Sequence, residues 1–368
     1  MTDEKKHIET VLAQIGNNKN PQTGSINMPV YFSTTFAHPT LGESTGFDYT
    51  RTQNPTRKVL EETLAELENG NKAFATSSGM SAIQLVFSLF KSGSHIVASR
   101  DLYGGSYRYF QKLEEKGQFK FSYSESEDAF EQLIIPGETV ALFIETPTNP
   151  LMNEVSIEKL SKLARKFQLL LVVDNTFYTP ILQKPLDQGA DIVLHSATKY
   201  LGGHNDLLAG VVVAREESIA QSLAYEHNTT GATLSPFDCW LLMRGLKTLA
   251  LRMERHQQNA QKFVAYLKNE SAVTETFYPG KGGMVSFKIT DASKVKEFLA
   301  ALELVTFAES LGGVESLITY PTTQTHADIP KDLRESYGLT PDLLRVSIGI
   351  ENVEDLIADF KQAFEKIL

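Results

Sequence analysis

The sequence predicts an α/β protein with a mostly parallel, doubly wound sheet flanked by helices, followed by a small α+β domain. Three observations carry this expectation. From about residue 51 to 235, short apolar runs alternate with stretches of helical periodicity, as in βαβ units. After residue 236 the texture changes to one long helical stretch, then strands, then helices. The 368 residues, 42% of them hydrophobic, are enough for two or three separate cores.

The elements follow in order. Residues 1–50 are weakly periodic, with a short helix expected over Glu9–Ile15 and then turn-formers. A long irregular segment of this kind is usually functional, and an arm lying on a partner subunit is one solution. Pro55–Leu67 reads as a helix, with Leu60, Leu64 and Leu67 at helical spacing. Ser81–Phe90 reads as a second helix, His95–Ala98 as a strand, Tyr107–Lys116 as a helix and Phe119–Tyr123 as a strand. Val140–Ile144 is a strand, Ser156–Phe167 a helix, and Leu169–Val173 a strongly apolar strand. Ala190–His195 and Ala209–Val213 are two further apolar runs bounded by Gly and Ser, and read as buried strands. Pro236–Leu267 is one long helix or two joined, opened by Ser235 as N-cap with proline at the first turn. Met284–Ile289, Ser316–Thr319 and Leu343–Ile350 read as strands, and Ala292–Leu302 and Val353–Leu368 as helices. The domain division expected is therefore 1–50, 51–235 and 236–368.

The bulk chemistry removes several function classes. A net charge of −10 argues against a nucleic-acid or anionic membrane surface. The single cysteine, Cys239, allows no intramolecular disulfide and no Cys-rich metal site, and it fits a reducing, cytoplasmic setting. No His-Glu-x-x-His pattern or His/Cys cluster is present, so no metal is expected. The N-terminal run Met1-Thr2-Asp3-Glu4-Lys5-Lys6 lacks the apolar core of a signal peptide. No apolar run approaches the length of a membrane span.

Several residues stand out against this background. Lys199, in Ser196-Ala197-Thr198-Lys199-Tyr200-Leu201-Gly202-Gly203, falls between two strands expected to be buried. Burial favours the neutral, nucleophilic amine that a Schiff-base lysine needs; a lysine snorkelling from a strand end fits the same pattern. Asp174 ends the most apolar strand, either as an exposed turn residue or as a carboxylate held at the active edge of the sheet. Asn149, in Glu145-Thr146-Pro147-Thr148-Asn149-Pro150, is either aimed by two prolines or part of an ordinary turn. Ser77-Ser78-Gly79-Met80 precedes a helix and reads as an anion site or as a plain N-cap. Tyr103, before Gly104-Gly105, can stack on a flat ring or stand exposed in a turn. Arg345, inside an apolar strand, must be paired, either with a carboxylate ligand or within the protein. There is no Walker loop and no Gly-x-Gly-x-x-Gly after a strand, which lowers the case for an NAD enzyme.

Taken together these stretches resemble the Cys/Met-metabolism family of pyridoxal-phosphate (PLP) enzymes. The motifs are Phe47-Asp48-Tyr49-Thr50-Arg51-Thr52-Gln53-Asn54-Pro55-Thr56-Arg57, Ser78-Gly79-Met80, Leu102-Tyr103-Gly104-Gly105, the Glu145–Pro150 run, Val173-Asp174-Asn175-Thr176, His195–His204 and Glu309-Ser310-Leu311-Gly312-Gly313. Within the family the chain is most similar to the Bacillus/Staphylococcus-type cystathionine γ-synthase/O-acetylhomoserine thiolyase group. The resemblance implies the PLP-dependent transferase fold type I, aspartate aminotransferase-like, and an amino-acid substrate. It implies a catalytic set of Lys199, Tyr103 and Asp174. Lys199 would carry PLP as a Schiff base, Asp174 would pair with the pyridinium nitrogen, and Tyr103 would stack on the ring. The Gly79 and Met80 amides with the Ser196 and Thr198 hydroxyls would hold the phosphate. Tyr49 and Arg51 would reach the phosphate of a neighbouring subunit's site, which requires a homodimer and is compatible with a homotetramer. Asn149, Ser310 and Arg345 would bind or orient the substrate carboxylate. Glu309, with Asp48, would receive the distal amino group of cysteine or cystathionine. The implied activity is γ-replacement on O-acetyl- or O-succinylhomoserine by cysteine, with a sulfhydrylase side activity; the alternative is a cystathionine γ- or β-lyase. Thr52 stands where some succinyl-ester users carry a second arginine, which favours the acetyl ester. Thr50 replaces a common serine. Tyr320 with Thr322-Thr323-Gln324 replaces the commoner His-Pro-Ala-x-Met run at the pocket rim.

Overall fold

A computed structural model describes residues 6–367. The first five residues, on which the signal-peptide expectation rests, and Leu368, the expected end of the last helix, lie outside the described residues. The chain divides into two compact units, one formed by the described residues through Lys91 with Thr179–Ala250, the other by Ser92–Tyr178 with Leu251 onward.

The first unit opens with a short helix, Ile8–Gln14, and then runs without regular structure to Pro55 apart from a bridge between Thr35 and Tyr49. Helix Pro55–Glu68 follows the predicted spacing, with Leu60, Leu64 and Leu67 buried. Asn54 caps it by accepting from the Thr56 and Arg57 amides, proline occupies the first turn, and Asn69 ends it in the left-handed region. Lys72–Thr76 forms a strand that sequence reading did not find. Two of its five residues are alanine, a weak strand former, and antiparallel pairing with Gly210–Ala214 overrides that preference. Gly210–Ala214 in turn pairs antiparallel with Ile192–Ser196. Residues 197–209 between those two strands contain no helix, and a short excursion of that kind returns a strand antiparallel. Ser196 and Gly210 are therefore cross-strand partners, and Lys199 lies in the connection that joins them. Sequence reading also did not find helix Glu217–Thr230, which has a weak apolar face and buries only Ala220, Leu223 and His227. The expected Pro236–Leu267 stretch is two helices, Pro236–Leu246 and Leu249–Leu267, and Ser235 caps the first by accepting from Asp238 N.

In the second unit four strands are parallel, with Phe119–Ser124, Ser94–Ser99, Thr139–Glu145 and Leu170–Asp174 adjacent in that order. Helices Gly104–Glu115 and Ile157–Phe167 supply crossovers, so the carboxyl ends of these strands share one edge. A separate five-stranded sheet contains Thr306–Phe307, Leu317–Thr319, Leu343–Ser347, Met284–Ile289 and Val273–Phe277, in that order. Its core is aromatic: Phe263, Phe287, Phe298, Phe360 and Phe364 are all buried, and the Phe298 and Phe364 rings stack with centroids 4.5 Å apart. Leu344 and Val346 enter that core. The two-residue period of a strand then turns Arg345 to the opposite face.

Candidate active site

The lysine end of the first unit is built from tight turns. Lys199 N donates to Ser196 O at 3.2 Å, Gly202 N to Ala197 O at 2.8 Å, and Gly203 N to Lys199 O at 2.8 Å. Thr198 closes the connection: its amide donates to Ala209 O at 3.1 Å, and its hydroxyl accepts from Ala209 N at 3.0 Å and donates to the same carbonyl at 3.2 Å. Lys199 is half-buried within this frame.

The helix expected to begin at Ser81 begins at Gly79. Ser78 is its N-cap, accepting from Ser81 N at 3.1 Å, and Ala82 N donates to Ser78 O at 3.0 Å. The amides of Gly79 and Met80 lie in the first turn, where no intrahelical acceptor exists and the positive end of the helix dipole points outward. A side chain at Gly79 would place its Cβ 2.8 Å from Ser196 Cβ and 2.9 Å from Ser196 Oγ. Only glycine lets the helix N-terminus reach the end of the Ile192–Ser196 strand. Gly210 is equally constrained, since its Cβ would lie 2.0 Å from Ser78 O. Helix amides, the Ser196 hydroxyl and the turn bearing Lys199 thus line one recess too tight for added side chains, with the donor chemistry of a phosphate site. PLP fits this donor set, a phosphate on the amides and an aldehyde for the lysine.

The remaining predicted groups of this unit belong to the irregular segment. Tyr49 is 47% exposed, and the Arg51 guanidinium lies 5.7 Å from its ring centroid. Arg51 also donates to Asn228 O and, at 3.2 Å, to Asn228 Oδ1; Thr52 Oγ1 donates to the same side-chain oxygen at 3.1 Å. Asp48 is exposed and pairs with His38 Nε2 at 3.3 Å, while Ser44 Oγ donates to it at 2.7 Å.

The second unit holds the groups expected at the ring and the substrate carboxylate. Helix Gly104–Glu115 starts three residues before the expected position, so Tyr103 is its N-cap residue. Three successive residues tie this corner down. Asp101 Oδ2 accepts from Leu151 N at 3.3 Å, Leu102 O from His326 Nε2 at 3.0 Å, and Tyr103 N donates to Glu145 Oε2 at 3.0 Å. The Tyr103 ring remains 38% exposed, and burial of its hydroxyl raises the phenol pKa. Asp174 ends its strand, accepts from Thr176 N at 2.9 Å, and lies opposite Glu145 across the parallel pair. Burial, then the Asp174 carboxylate beside it, raises Glu145 well above the ordinary carboxyl range. Burial also raises Asp101, to about 6.

Arg345 is 1% exposed. Its Nη1 donates to Asn149 Oδ1 at 2.8 Å and its Nη2 to Ser310 O and Thr319 Oγ1, both at 3.1 Å. These oxygens hold the planar fork of the guanidinium in one orientation, the geometry with which arginine receives a carboxylate. Ser310 sits at φ 114°, a left-handed conformation costly for a side chain, and the carbonyl it presents is the one Arg345 uses. Ser286 Oγ, in the strand beside Arg345, donates to Pro150 O at 2.7 Å and so anchors the Asn149 loop to the same sheet. Glu309 is exposed; it lies in this unit, and Asp48 in the other.

The structure therefore gathers Gly79, Met80, Ser196, Thr198 and Lys199 in one unit, and Tyr103, Asn149, Asp174, Ser310 and Arg345 in the other. Glu145 and His326 carry positions that sequence reasoning did not assign. Glu145 bore the same signal as Asp174, an acid ending an apolar strand, whereas His326 bore none.

The sequence matches the Cys/Met metabolism PLP-dependent enzyme family over residues 9–365. The chain belongs to that family. It is 54% identical over 360 residues to a cystathionine γ-synthase/O-acetylhomoserine (thiol)-lyase of Bacillus subtilis, covering 97% of this chain and 96% of the relative. It is 52% identical over 363 residues to a cystathionine γ-synthase of Haemophilus influenzae, covering 98% of each. Among solved structures, cystathionine γ-synthase from Xanthomonas oryzae pv. oryzae in complex with cystathionine has a TM-score of 0.96 at 38% identity, covering 98% of each chain. Cystathionine γ-lyase from Lactobacillus plantarum complexed with L-serine has a TM-score of 0.95 at 40% identity, covering 98% of this chain and 99% of that one. The family member described here is a PLP-dependent enzyme of fold type I.

Proposed function

We propose that the protein is a cystathionine γ-synthase, replacing the acyl group of O-acetylhomoserine with the sulfur of L-cysteine. The observation that carries the reading is Arg345, a buried guanidinium oriented by Asn149, Ser310 and Thr319 as a carboxylate receiver in a PLP enzyme. The relatives at 54% and 52% identity favour the synthase among the family's activities. Thr52, in place of a second arginine, favours the acetyl ester.

When bound, PLP supplies an electron sink for charge developing on the substrate's carbons. Lys199 would hold it, and the Gly79 and Met80 amides with Ser196 and Thr198 would hold its phosphate. Asp174 would keep a proton on the ring nitrogen, and Tyr103 would stack on the ring. Arg345 fixes the substrate carboxylate and Asn149 fixes Arg345. The Lys199 amine would take the substrate's Cα proton and later one from Cβ. Acetate leaves Cγ, the cysteine thiol adds there with loss of its proton, and the products are cystathionine and acetate. Glu309 and Asp48 attract the ammonium of the incoming cysteine.

The same reading makes residues 1–50 an arm against a neighbouring subunit, 51–235 the PLP domain and 236–368 the C-terminal domain, in a homodimer that pairs into a tetramer. Tyr49 and Arg51 serve the neighbouring site. Among the described residues no helix is long and apolar enough to cross a membrane, and we place the enzyme in the cytoplasm. The decisive assay measures cystathionine from O-acetylhomoserine and cysteine. Formation no faster than with Lys199→Ala would overturn the proposal, and faster turnover of cystathionine itself would make the protein a lyase. Competition between acetyl and succinyl esters, each with cysteine or sulfide, ranks the substrates.

A further inference from the structure

The ring-stacking Tyr103, the carboxylate-orienting Asn149 and the pocket-rim segment 320–326 come from three separate loops, and all three meet at His326. Its Nε2 lies 3.0 Å from Leu102 O and 2.9 Å from Asn149 O. Carbonyl oxygens only accept, so Nε2 carries the proton and shares it between them. Nδ1 then accepts from the Thr325 hydroxyl at 2.8 Å. One neutral tautomer satisfies every one of these contacts. His326 is fully buried, and burial, with the nearby Arg345 charge, lowers its pKa to about 4, so that tautomer persists at working pH.

The consequences reach the site through backbone. Leu102 immediately precedes Tyr103, whose own amide is held by Glu145. Asn149 presents its carbonyl to His326 and its side chain to Arg345. The rim segment is closely fitted: His326 N donates to Pro321 O at 3.0 Å, and a Cβ on Gly104 would lie 1.9 Å from Thr325 O.

We propose that His326 is a positioning residue for the amino-acid substrate, its shared Nε2–H holding the Tyr103 and Asn149 loops in one register and thereby aiming Arg345. It acts through these two loops. The inference rests on the roles given above to Tyr103, Asn149 and Arg345.

Three variants of the PLP-loaded enzyme test it. His326→Leu removes both ring nitrogens, His326→Gln restores a donor near the Nε2 position, and Thr325→Val removes the hydroxyl that selects the tautomer. His326→Leu should bind PLP stoichiometrically, yet show an altered circular-dichroism signal in the visible cofactor band and a KM for O-acetylhomoserine raised about tenfold. His326→Gln should recover most of both, and Thr325→Val should move both in the same direction by less. A His326→Leu enzyme with a lowered melting temperature but wild-type KM and dichroism would overturn the inference. If that variant does not fold, wild-type KM and dichroism in Thr325→Val would overturn it. A wild-type chain that takes up no PLP would sink the functional reading instead.

Discussion

At the scale of single residues, burial decides the protonation state of groups around the site. Asp101 is raised from 3.8 to about 6 by burial. The folded chain therefore holds this proton more tightly than the unfolded chain. The stability it contributes is fully present below about pH 4 and is lost as pH rises through about 6. Asp101→Asn retains an oxygen to accept from Leu151 N and cannot ionise. Its stability relative to wild type should rise between pH 4 and 7.5, by on the order of 2 kcal/mol at about 1.4 kcal/mol per pKa unit. Urea denaturation at those two pH values tests this, and an unchanged difference would contradict it. Arg345→Lys keeps the charge but replaces a fork that reaches Asn149, Ser310 and Thr319 with a single ammonium. We expect the KM for O-acetylhomoserine to rise tenfold or more, about 1.4 kcal/mol, with PLP content unchanged. Steady-state kinetics beside cofactor absorbance separates that outcome from simple loss of PLP.

At the scale of elements, the proposed phosphate site depends on how closely the Gly79–Phe87 helix approaches the Ile192–Ser196 strand. Gly79→Ala would bring a methyl group to 2.8 Å from Ser196 Cβ. The helix must retreat, at a cost of about 1–3 kcal/mol in stability, and PLP should bind more weakly. Adding Ser196→Gly removes the two closest atoms, Cβ and Oγ, and leaves Ser196 Cα at 3.0 Å. The double variant should regain thermal stability while PLP affinity stays low, because the Ser196 hydroxyl is gone. Recovery of neither property would mean that the close approach is not what limits Gly79→Ala.

At the scale of the whole molecule, the exposed Tyr49 and Arg51 carry the prediction of a shared site. Mixing Lys199→Ala with Arg51→Ala subunits should regenerate activity that neither variant has alone. Random pairing gives half heterodimers, each with one intact site in two, so roughly a quarter of wild-type activity is expected. No recovery after subunit exchange, shown by mass spectrometry to have occurred, would place Arg51 in the site of its own chain.

Much of this was legible in the sequence because it depends on local rules. The Leu60, Leu64 and Leu67 stripe, the Ser235-Pro236 cap and the apolar run before Asp174 each specify an element without reference to the rest of the chain. The resemblance carried by the ordered motifs pointed to the family and its cofactor, and the family match bears both out. What the sequence could not decide lay in contacts between distant segments. Lys72–Thr76 is a strand because Gly210–Ala214 pairs with it, not because alanine favours one. Position 79 is glycine because Ser196 leaves no room there for a Cβ. His326 reads as an unremarkable loop histidine until folding encloses it between the carbonyls of Leu102 and Asn149, each more than a hundred residues before it in the chain. Local propensity and motif spacing determined the fold class and the chemistry; burial and close approach, which only the tertiary structure contains, decided which side chains hold that chemistry in place.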